Sequence, residues 1–264
     1  MILQSAYLLK HDKNCHLLYD PELLGESFFQ STDAGLLNHD IFQLADTYEL
    51  ISTGGRGQAW FIEVGGLSAV LRAYQRGGLV SKFIRQSYIG ISAEQSRAFK
   101  EWRLLQWMFA EGLPVPRPIA ASLCRWPVSF SPLYRAHILL QRIPNTRTLD
   151  HILSQHDLEN TIWQFIGHTI CRFHKAAIYH ADLNANNILL DDMQKVFLID
   201  FDKSKIVNAS DSNDSQHVIS QWKQDNLARL KRSLIKQQGL YKTYHFSEQN
   251  WQALISGYQL AVSD

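Results

Sequence analysis

The chain has 264 residues, 45% of them hydrophobic and 11% aromatic, enough to bury a full core in one large domain or in two lobes that share a cleft. Its 26 basic residues stand against 25 acidic ones for a net charge of +1, so no global field points to nucleic acid, and any basic site must be local. No window of roughly 18 uncharged apolar residues reads as a transmembrane span, and the N-terminal MILQSAYLLKHDKNCHLL is broken by polar residues too early for a secretory signal.

The first 45 residues mix apolar runs with turn residues and carry no nameable chemistry. Cys15, Cys124 and Cys171 are far apart and form no C-x-x-C pair; they predict neither a zinc cage nor a disulfide framework, and a reducing cytoplasm is the simplest home. From Tyr48 the pattern is strand, glycine turn, strand, glycine turn, strand. Residues 48–52, 59–64 and 68–74 are rich in β-branched and aromatic residues, and Gly54-Gly55-Arg56-Gly57 and Gly65-Gly66 separate them into an antiparallel meander. The period then changes. Ala98, Trp102, Leu105 and Phe109 predict a helix over 92–110 that Gly112 ends, and the proline-punctuated LPVPRPIA reads as a rigid extended connection.

Two further strands, 123–128 and 134–141, precede RIPNTRTLDHILSQ, a crossover followed by a helix entered at Thr148 or Asp150. The chain changes lobes near Arg142, which gives an N-terminal lobe of residues 1–142, with 1–45 as an extension, and a C-terminal lobe of 143–264. A helix over 158–175 shows a wide apolar stripe of Ile162, Phe165, Ile166, Thr169, Ile170 and Phe173. Beyond it, 188–190 and 196–199 flank the turn Asp191-Asp192-Met193-Gln194 as a small hairpin, and NASDSNDSQ (208–216) reads as a mobile loop. The remainder is helical, with Leu227, Leu230, Leu234 and Ile235 on one face and Gly239 as a stop. The fold class is α+β.

The chemistry sits in IYHADLNANNILL, residues 178–190. The spacing His180-x-Asp182-x-x-x-x-Asn187, then a hairpin, then Asp200-Phe201, matches the catalytic loop and metal-binding segment of protein-kinase-like phosphotransferases. Phosphoryl transfer to a hydroxyl needs a carboxylate that orients the nucleophile and takes its proton late, which suits Asp182. Hard magnesium ions need oxygen ligands, which Asn187 and Asp200 supply. His180 braces the loop. Gly55, Arg56 and Gly57 can present backbone N–H groups to phosphates, although a tight hairpin would use the same residues and Trp60 stands where a third glycine is usual. Arg72 occupies the place of the usual strand lysine and can grip phosphates while pairing with a helix carboxylate, Glu101 first and Glu94 second.

With these pieces assembled, the chain resembles the bacterial 3-deoxy-D-manno-octulosonic acid (Kdo) kinases of lipopolysaccharide synthesis, within the lipopolysaccharide kinase group. The resemblance rests on GGRGQAWF (54–61), LRAYQRGGLVSKFI (71–84), GLPVPRPIAA (112–121), HADLNANNILL (180–190) and LIDFDKS (198–204), and it covers roughly residues 50–235. It implies a bilobal protein-kinase-like fold whose N-terminal lobe is an antiparallel sheet with one main helix and whose C-terminal lobe is mostly helical. It also implies ATP and Mg2+ as cofactors, Asp182 as base, and the 4-OH of Kdo on a lipid A precursor as acceptor, at the cytoplasmic face of the inner membrane. Asp202 replaces the glycine of D-F-G, which puts protein-kinase-type switching in doubt.

Local charge is compatible with such an acceptor. Between Arg72 and Trp107, Arg72, Arg76, Lys82, Arg85, Arg97, Lys100 and Arg103 face only Glu94 and Glu101, a local excess of five positive charges. Arg76, Lys82 and Arg85 are the acceptor-binding candidates, and Leu79, Val80, Phe83 and Ile84 among them suit contact with an anionic bilayer. A solvated basic face would read the same way. A second run, Arg229, Lys231, Arg232 and Lys236, reads as solubility or membrane contact. No nucleic acid and no obligate protein partner is expected. Two alternatives stay open: a kinase of another small hydroxyl compound such as a core heptose or an aminoglycoside-like molecule, and a catalytically silent nucleotide-binding module.

Overall fold

Gly65 and Gly66 take φ of 57° and 77°, the paired left-handed conformation of a tight two-residue hairpin, and the strands on either side of them anchor the first half of the protein. The computed structural model describes residues 8–12, 15–24, 45–52, 57–74, 93–125, 134–208 and 220–263. Two compact units divide the chain: residues 1–106 with 117–142, and residues 107–116 with 143–264.

The first unit is a seven-stranded antiparallel sheet with one main helix, as expected. Its strands are β1 (Leu8–Asp12), β2 (Cys15–Tyr19), β3 (Thr47–Ser52), β4 (Gly57–Val64), β5 (Leu67–Tyr74), β6 (Pro118–Arg125) and β7 (Tyr134–Gln141), in the spatial order β1-β2-β6-β7-β5-β4-β3. Leu17, Tyr19, Ile62, Val64, Ala69, Leu71, Ile119 and Leu139 make a continuous buried cluster across it. Alternation along β5 buries Ala69, Leu71 and Ala73 and leaves Arg72 and Tyr74 for the other face. Helix α1 (Arg97–Ala110) follows a 3-10 turn at Ala93–Gln95; the Ser96 hydroxyl accepts the Phe99 N–H (3.2 Å) at its start, and Gly112 (φ +71°) lies just past its end. Its buried face is Ala98, Phe99, Trp102, Leu105 and Met108, whereas Phe109 is exposed.

Two expectations fail in this unit. The strand expected to start at Leu123 begins five residues earlier, within the end of the proline-punctuated stretch, because Pro118 sits at the first strand position, where no ladder donor is missed, next to a register shift at Ala120. Within the first 45 residues, to which the sequence assigned no chemistry, β1 and β2 extend the sheet beyond β6, and Leu17, Leu18 and Tyr19 are fully buried. That pairing sets Cys15 directly opposite Cys124, and the two form a disulfide, contrary to the expectation of none. Sequence distance hid the pair because β2 itself carried no recognisable strand signal.

The second unit is mostly helical. Strand β8 (Thr146–Thr148) leads into helix α2 (Leu149–Leu153), whose first turn is capped by the Thr148 hydroxyl accepting the His151 N–H at 3.1 Å. Helix α3 (Asn160–Lys175) is followed by β9 (Ile178–Tyr179), β10 (Ile188–Asp191), β11 (Val196–Leu198) and β12 (Lys205–Ile206), then helices α4 (Gln221–Leu240) and α5 (Glu248–Ser263). β10 pairs with β11 as the expected hairpin and with β8 on its other side, and β12 pairs with β9. α3 and α5 cross with backbones in close approach: a Cβ on Gly167 would lie 1.9 Å from the Leu254 carbonyl oxygen, and one on Gly257 would lie 2.2 Å from that of Gln164. That crossing rotates Phe165 to the surface, 53% exposed, rather than into the predicted stripe. Gly239 does not stop α4, which runs on to Leu240, and Ile235 lies outside the buried Leu227, Leu230, Leu234 face. No helix among the described residues is long and apolar enough to cross a membrane.

Candidate active site

The loop from β9 to β10 is held by its histidine. His180 is buried; its Nδ1 accepts the Asp182 N–H at 3.2 Å, which leaves Nε2–H to donate to the Ile199 carbonyl at 3.0 Å. Burial pushes the imidazole pKa down, against the opposing pull of the Ile199 carbonyl and of Asp200 and Asp182, so the ring is neutral and in one tautomer. The Phe201 ring packs on it at 4.7 Å and stacks on Phe173 at 5.7 Å, so the histidine, the loop and the residue after Asp200 share one support. The expected bracing role of His180 is thus a matter of two hydrogen bonds and a ring contact.

Asp182 sits at the exposed edge of this loop, its side chain 58% accessible. Its carbonyl accepts the Asn187 amide at 2.8 Å and the Asn184 amide at 3.0 Å, so the backbone carrying the carboxylate is clamped from both sides. Asn187 is buried; it spends its amide N–H on the loop and keeps Oδ1 as the atom a cation could use. The Ile199 N–H donates to the Asn187 carbonyl at 3.0 Å, which couples the hairpin to Asp200. Asp200 itself has φ +64°, a left-handed backbone costly for a non-glycine residue and a mark of functional constraint when it occurs beside other polar site residues.

Asp182, Asn187 and Asp200 open onto one cavity of about 550 Å³. Asn184 and Asn186 complete its loop wall. The facing wall is α4, which contributes Arg229, Arg232, Ser233, Lys236 and Gln237. Arg229 reaches the Asp182 carboxylate at 3.3 Å. Asn226, one turn before it, receives the His180 N–H at 3.2 Å and donates to the His180 carbonyl at 2.7 Å, and Ser233 accepts the Ala185 N–H at 3.3 Å. These α4 residues went unassigned in the sequence, where the basic run read as solubility or membrane contact. The usable signal was the i, i+3, i+7 spacing of Arg229, Arg232 and Lys236, which sets them on one face and leaves Lys231 on another, paired with Glu248 at 2.9 Å.

In the first unit, Arg72 on β5 meets Glu101 on α1 at 2.8 Å, the pairing expected from their positions. Glu101 is almost fully buried, and Tyr74 donates its hydroxyl to the second carboxylate oxygen, so both acceptor atoms are used. Glu94, the second candidate, pairs instead with Arg103 in a bidentate contact of 2.7 and 2.8 Å. Gly57 opens β4; Gly55, Arg56, Arg76, Lys82 and Arg85 lie outside the described residues.

The donor set suits magnesium. Asn187 and Asp200 offer two hard oxygen ligands in one cavity, and no group of three or more His, Cys, Asp or Glu side chains among the described residues forms a dedicated metal cage. Mg2+ is commonly held by one or two carboxylate or carbonyl oxygens while substrate phosphates and water complete its shell.

An antiparallel sheet with a paired strand cation and helix glutamate, joined to a helical unit that carries a histidine-braced aspartate loop, has the organisation of a protein-kinase-like phosphotransferase. Comparison with known proteins narrows the class: residues 45–258 match the lipopolysaccharide kinase (Kdo/WaaP) family. The chain is 36% identical over 247 residues to the 3-deoxy-D-manno-octulosonic acid kinase of Photobacterium profundum, covering 94% of this chain and 96% of that protein. It is 37% identical to the protein of the same name from Photobacterium damsela subsp. piscicida (92% of each chain) and 36% identical to that of Xanthomonas campestris pv. campestris (93% of this chain, 90% of that one). The chain belongs to the lipopolysaccharide kinase (Kdo/WaaP) family.

Proposed function

We propose that this chain transfers the γ-phosphoryl group of ATP to the 4-OH of a Kdo residue on a lipid A precursor, working at the cytoplasmic face of the inner membrane. The observation that carries the reading is the convergence of Asp182, Asn187 and Asp200 on one cavity in a chain whose relatives are named 3-deoxy-D-manno-octulosonic acid kinases over nearly their whole length.

In this mechanism Asp182 accepts a hydrogen bond from the acceptor hydroxyl and aims its oxygen at the γ-phosphorus. A bond from that oxygen to phosphorus forms as the bond from phosphorus to the β,γ-bridging oxygen breaks; the hydroxyl proton passes to Asp182 and ADP leaves. The clamp on the Asp182 carbonyl by Asn184 and Asn187 fixes the carboxylate's origin, and Arg229, 3.3 Å from it, holds it oriented between turnovers. Asn187 and Asp200 would hold Mg2+, which neutralises charge on the transferring phosphates. Arg72, oriented by Glu101, grips nucleotide phosphates in the role that a strand lysine fills in other kinases, and Gly55, Arg56 and Gly57 cover them with backbone N–H groups. Three cationic side chains on the cavity wall disfavour a polycationic acceptor of the aminoglycoside type.

The test is transfer of labelled γ-phosphate from Mg-ATP to a Kdo-bearing lipid A precursor in detergent, beside free Kdo, a heptose-containing core and a generic protein acceptor. Label on the Kdo lipid that disappears with Asp182→Ala is the expected result. Label on another acceptor keeps a kinase and discards Kdo, and no label with ATP still bound leaves a silent nucleotide-binding module.

A further inference from the structure

We propose that Arg229, Arg232 and Lys236 on α4 form the subsite that recognises the negative charge of the acceptor, so that the acceptor's anion is read by the second unit itself. The proposal rests on the kinase reading above and names the part of the site that selects an acidic acceptor. Several observations converge on it. The three residues follow one another at i, i+3 and i+7, a single helix face, and all three line the cavity that holds Asp182. The opposite face of α4 is the buried Leu227, Leu230 and Leu234, so the basic face cannot rotate away from the cavity without dismantling the core.

Register is fixed as well as orientation. Asn226 is hydrogen-bonded to both backbone groups of His180, and Ser233 accepts the Ala185 N–H, so the helix is pinned to the loop on either side of Asp182 by residues that bracket Arg229 and Arg232. At 1.5 Å rise per residue, the ladder runs about 10 Å from Arg229 to Lys236. That length exceeds what one carboxylate needs. Arg229 meets Asp182, while Arg232 and Lys236 are exposed and make no ion pair or hydrogen bond among the described residues. A solubility face would not need to point into a cavity, and Lys231, which does not line it, has its partner in Glu248.

The nucleotide is a poorer occupant than the acceptor. The ladder starts at Asp182, the carboxylate that faces the nucleophilic hydroxyl, and proceeds away from it along α4, whereas the metal-binding pair Asn187 and Asp200 flanks the β10–β11 hairpin. An acidic sugar places a carboxylate a sugar-width from its reacting hydroxyl, and a phosphorylated lipid carries phosphate further out. Both present planar or tetrahedral oxyanions that an arginine fork binds with two hydrogen bonds, and lysine adds a point charge at the outer end.

The experiment compares wild type, Arg232→Gln, Lys236→Gln, the double variant, Arg232→Lys and, as an off-site control, Lys231→Gln. Steady-state KM is measured separately for ATP and for three acceptors: the intact Kdo lipid, its carboxylate methyl ester, and a form lacking the lipid phosphates. Acceptor binding is measured in parallel by calorimetry without turnover. The expected result is a rise of tenfold or more in KM and Kd for the intact acceptor in the double variant, with KM for ATP within twofold, partial recovery in Arg232→Lys and no change in Lys231→Gln. A penalty that vanishes with the methyl ester assigns the ladder to the sugar carboxylate, and one that vanishes without the phosphates assigns it to the lipid. Unchanged acceptor affinity, an equal rise for ATP, or the same penalty on every acceptor would overturn the proposal. Should wild type fail to phosphorylate Kdo, the calorimetric difference between wild type and the double variant still decides the subsite: a difference upholds it while the function reading falls, and none removes both.

Discussion

Asp182 and Asn226 show how differently two residues of one site should respond to substitution. Asp182 is exposed and supports nothing in the core, so Asp182→Ala should leave the melting temperature within a degree or two while turnover falls by roughly three orders of magnitude or more, because the base role proposed for the carboxylate is exercised in the transition state. Single-turnover kinetics and nucleotide binding check this; undiminished turnover removes the base assignment. Asn226 touches no reactant, yet it is buried and satisfies both backbone groups of His180. Asn226→Leu should cost about 2–4 kcal/mol by orphaning those groups, and should lower kcat more than the KM for either substrate as the Asp182 loop loses its register. Denaturant titration alongside kinetics separates the two effects. His137 on β7 carries a third prediction. Burial, with Arg135 beside it, lowers its pKa from 6.5 to about 4. The unfolded chain therefore binds a proton that the folded one refuses as pH falls from about 6.5 towards 4, so this contribution to stability is complete above that window and is lost on descending through it. His180, buried and shifted the same way, adds to the same slope. Melting curves across that range should show a shallower fall in His137→Phe than in wild type.

At the scale of elements, the crossing of α3 and α5 is the contact most sensitive to a single methyl group. Gly167 and Gly257 each face a partner-helix carbonyl at a distance that no Cβ tolerates, and the obstructing atoms are backbone, which cannot swing aside as a side chain would. Gly167→Ala should therefore cost roughly 2–3 kcal/mol despite the better helix propensity of alanine, whereas Gly239→Ala, with open space around it, should be neutral or stabilising by up to about 1 kcal/mol. Urea midpoints for the two variants make the comparison, and equal effects would contradict the crossing. Neither glycine announced itself in the sequence. What was legible there was local: the β4-β5 hairpin through its Gly-Gly turn, the span of β7, the α2 start to within two residues at Thr148 or Asp150, and the Asp182, Asn187, Asp200 constellation through its spacing. What was not legible depended on partners distant in sequence. The pairing of β2 with β6 owes little to local propensity, since the five residues of β2, four of them buried, pair with a strand about a hundred positions later. The place of α4 in the site likewise depends on Asn226 and Ser233 finding backbone groups of a loop some 46 and 48 residues away.

Across the whole molecule, the division into two units gives the Cys15–Cys124 bond a defined reach. The cross-link joins residues 109 apart and closes a loop made almost wholly of first-unit chain: β1 to β5, α1 and β6 belong to it or border it, and the Asp182 loop lies outside. Cross-linking acts chiefly by restricting the unfolded chain, and for a loop of about this length the entropic contribution is roughly 4–5 kcal/mol, with native packing able to reduce it. The second unit contains neither cysteine of the pair, and its own Cys171 is buried in α3. Reductant should accordingly lower the stability of the Arg72–Glu101 unit and leave local protection around His180 and Asn226 intact. Hydrogen exchange with and without dithiothreitol resolves the two regions. Protection should fall across β2, β6 and β7 in wild type, the loss should already be present in Cys15→Ser without reductant, and dithiothreitol should then do nothing further. If the reduced protein keeps full protection throughout, the sheet edge is held by burial of Leu17, Leu18 and Tyr19 alone, and the kinase can work in a reducing compartment with no thermodynamic need for the bond. If protection is lost, the proposed cytoplasmic site of action requires the first unit to function at the lower stability of its dithiol form, and the nucleotide binding proposed for Arg72 should then contribute measurably to its folding, as a ligand-dependent rise in melting temperature larger in reductant than without it.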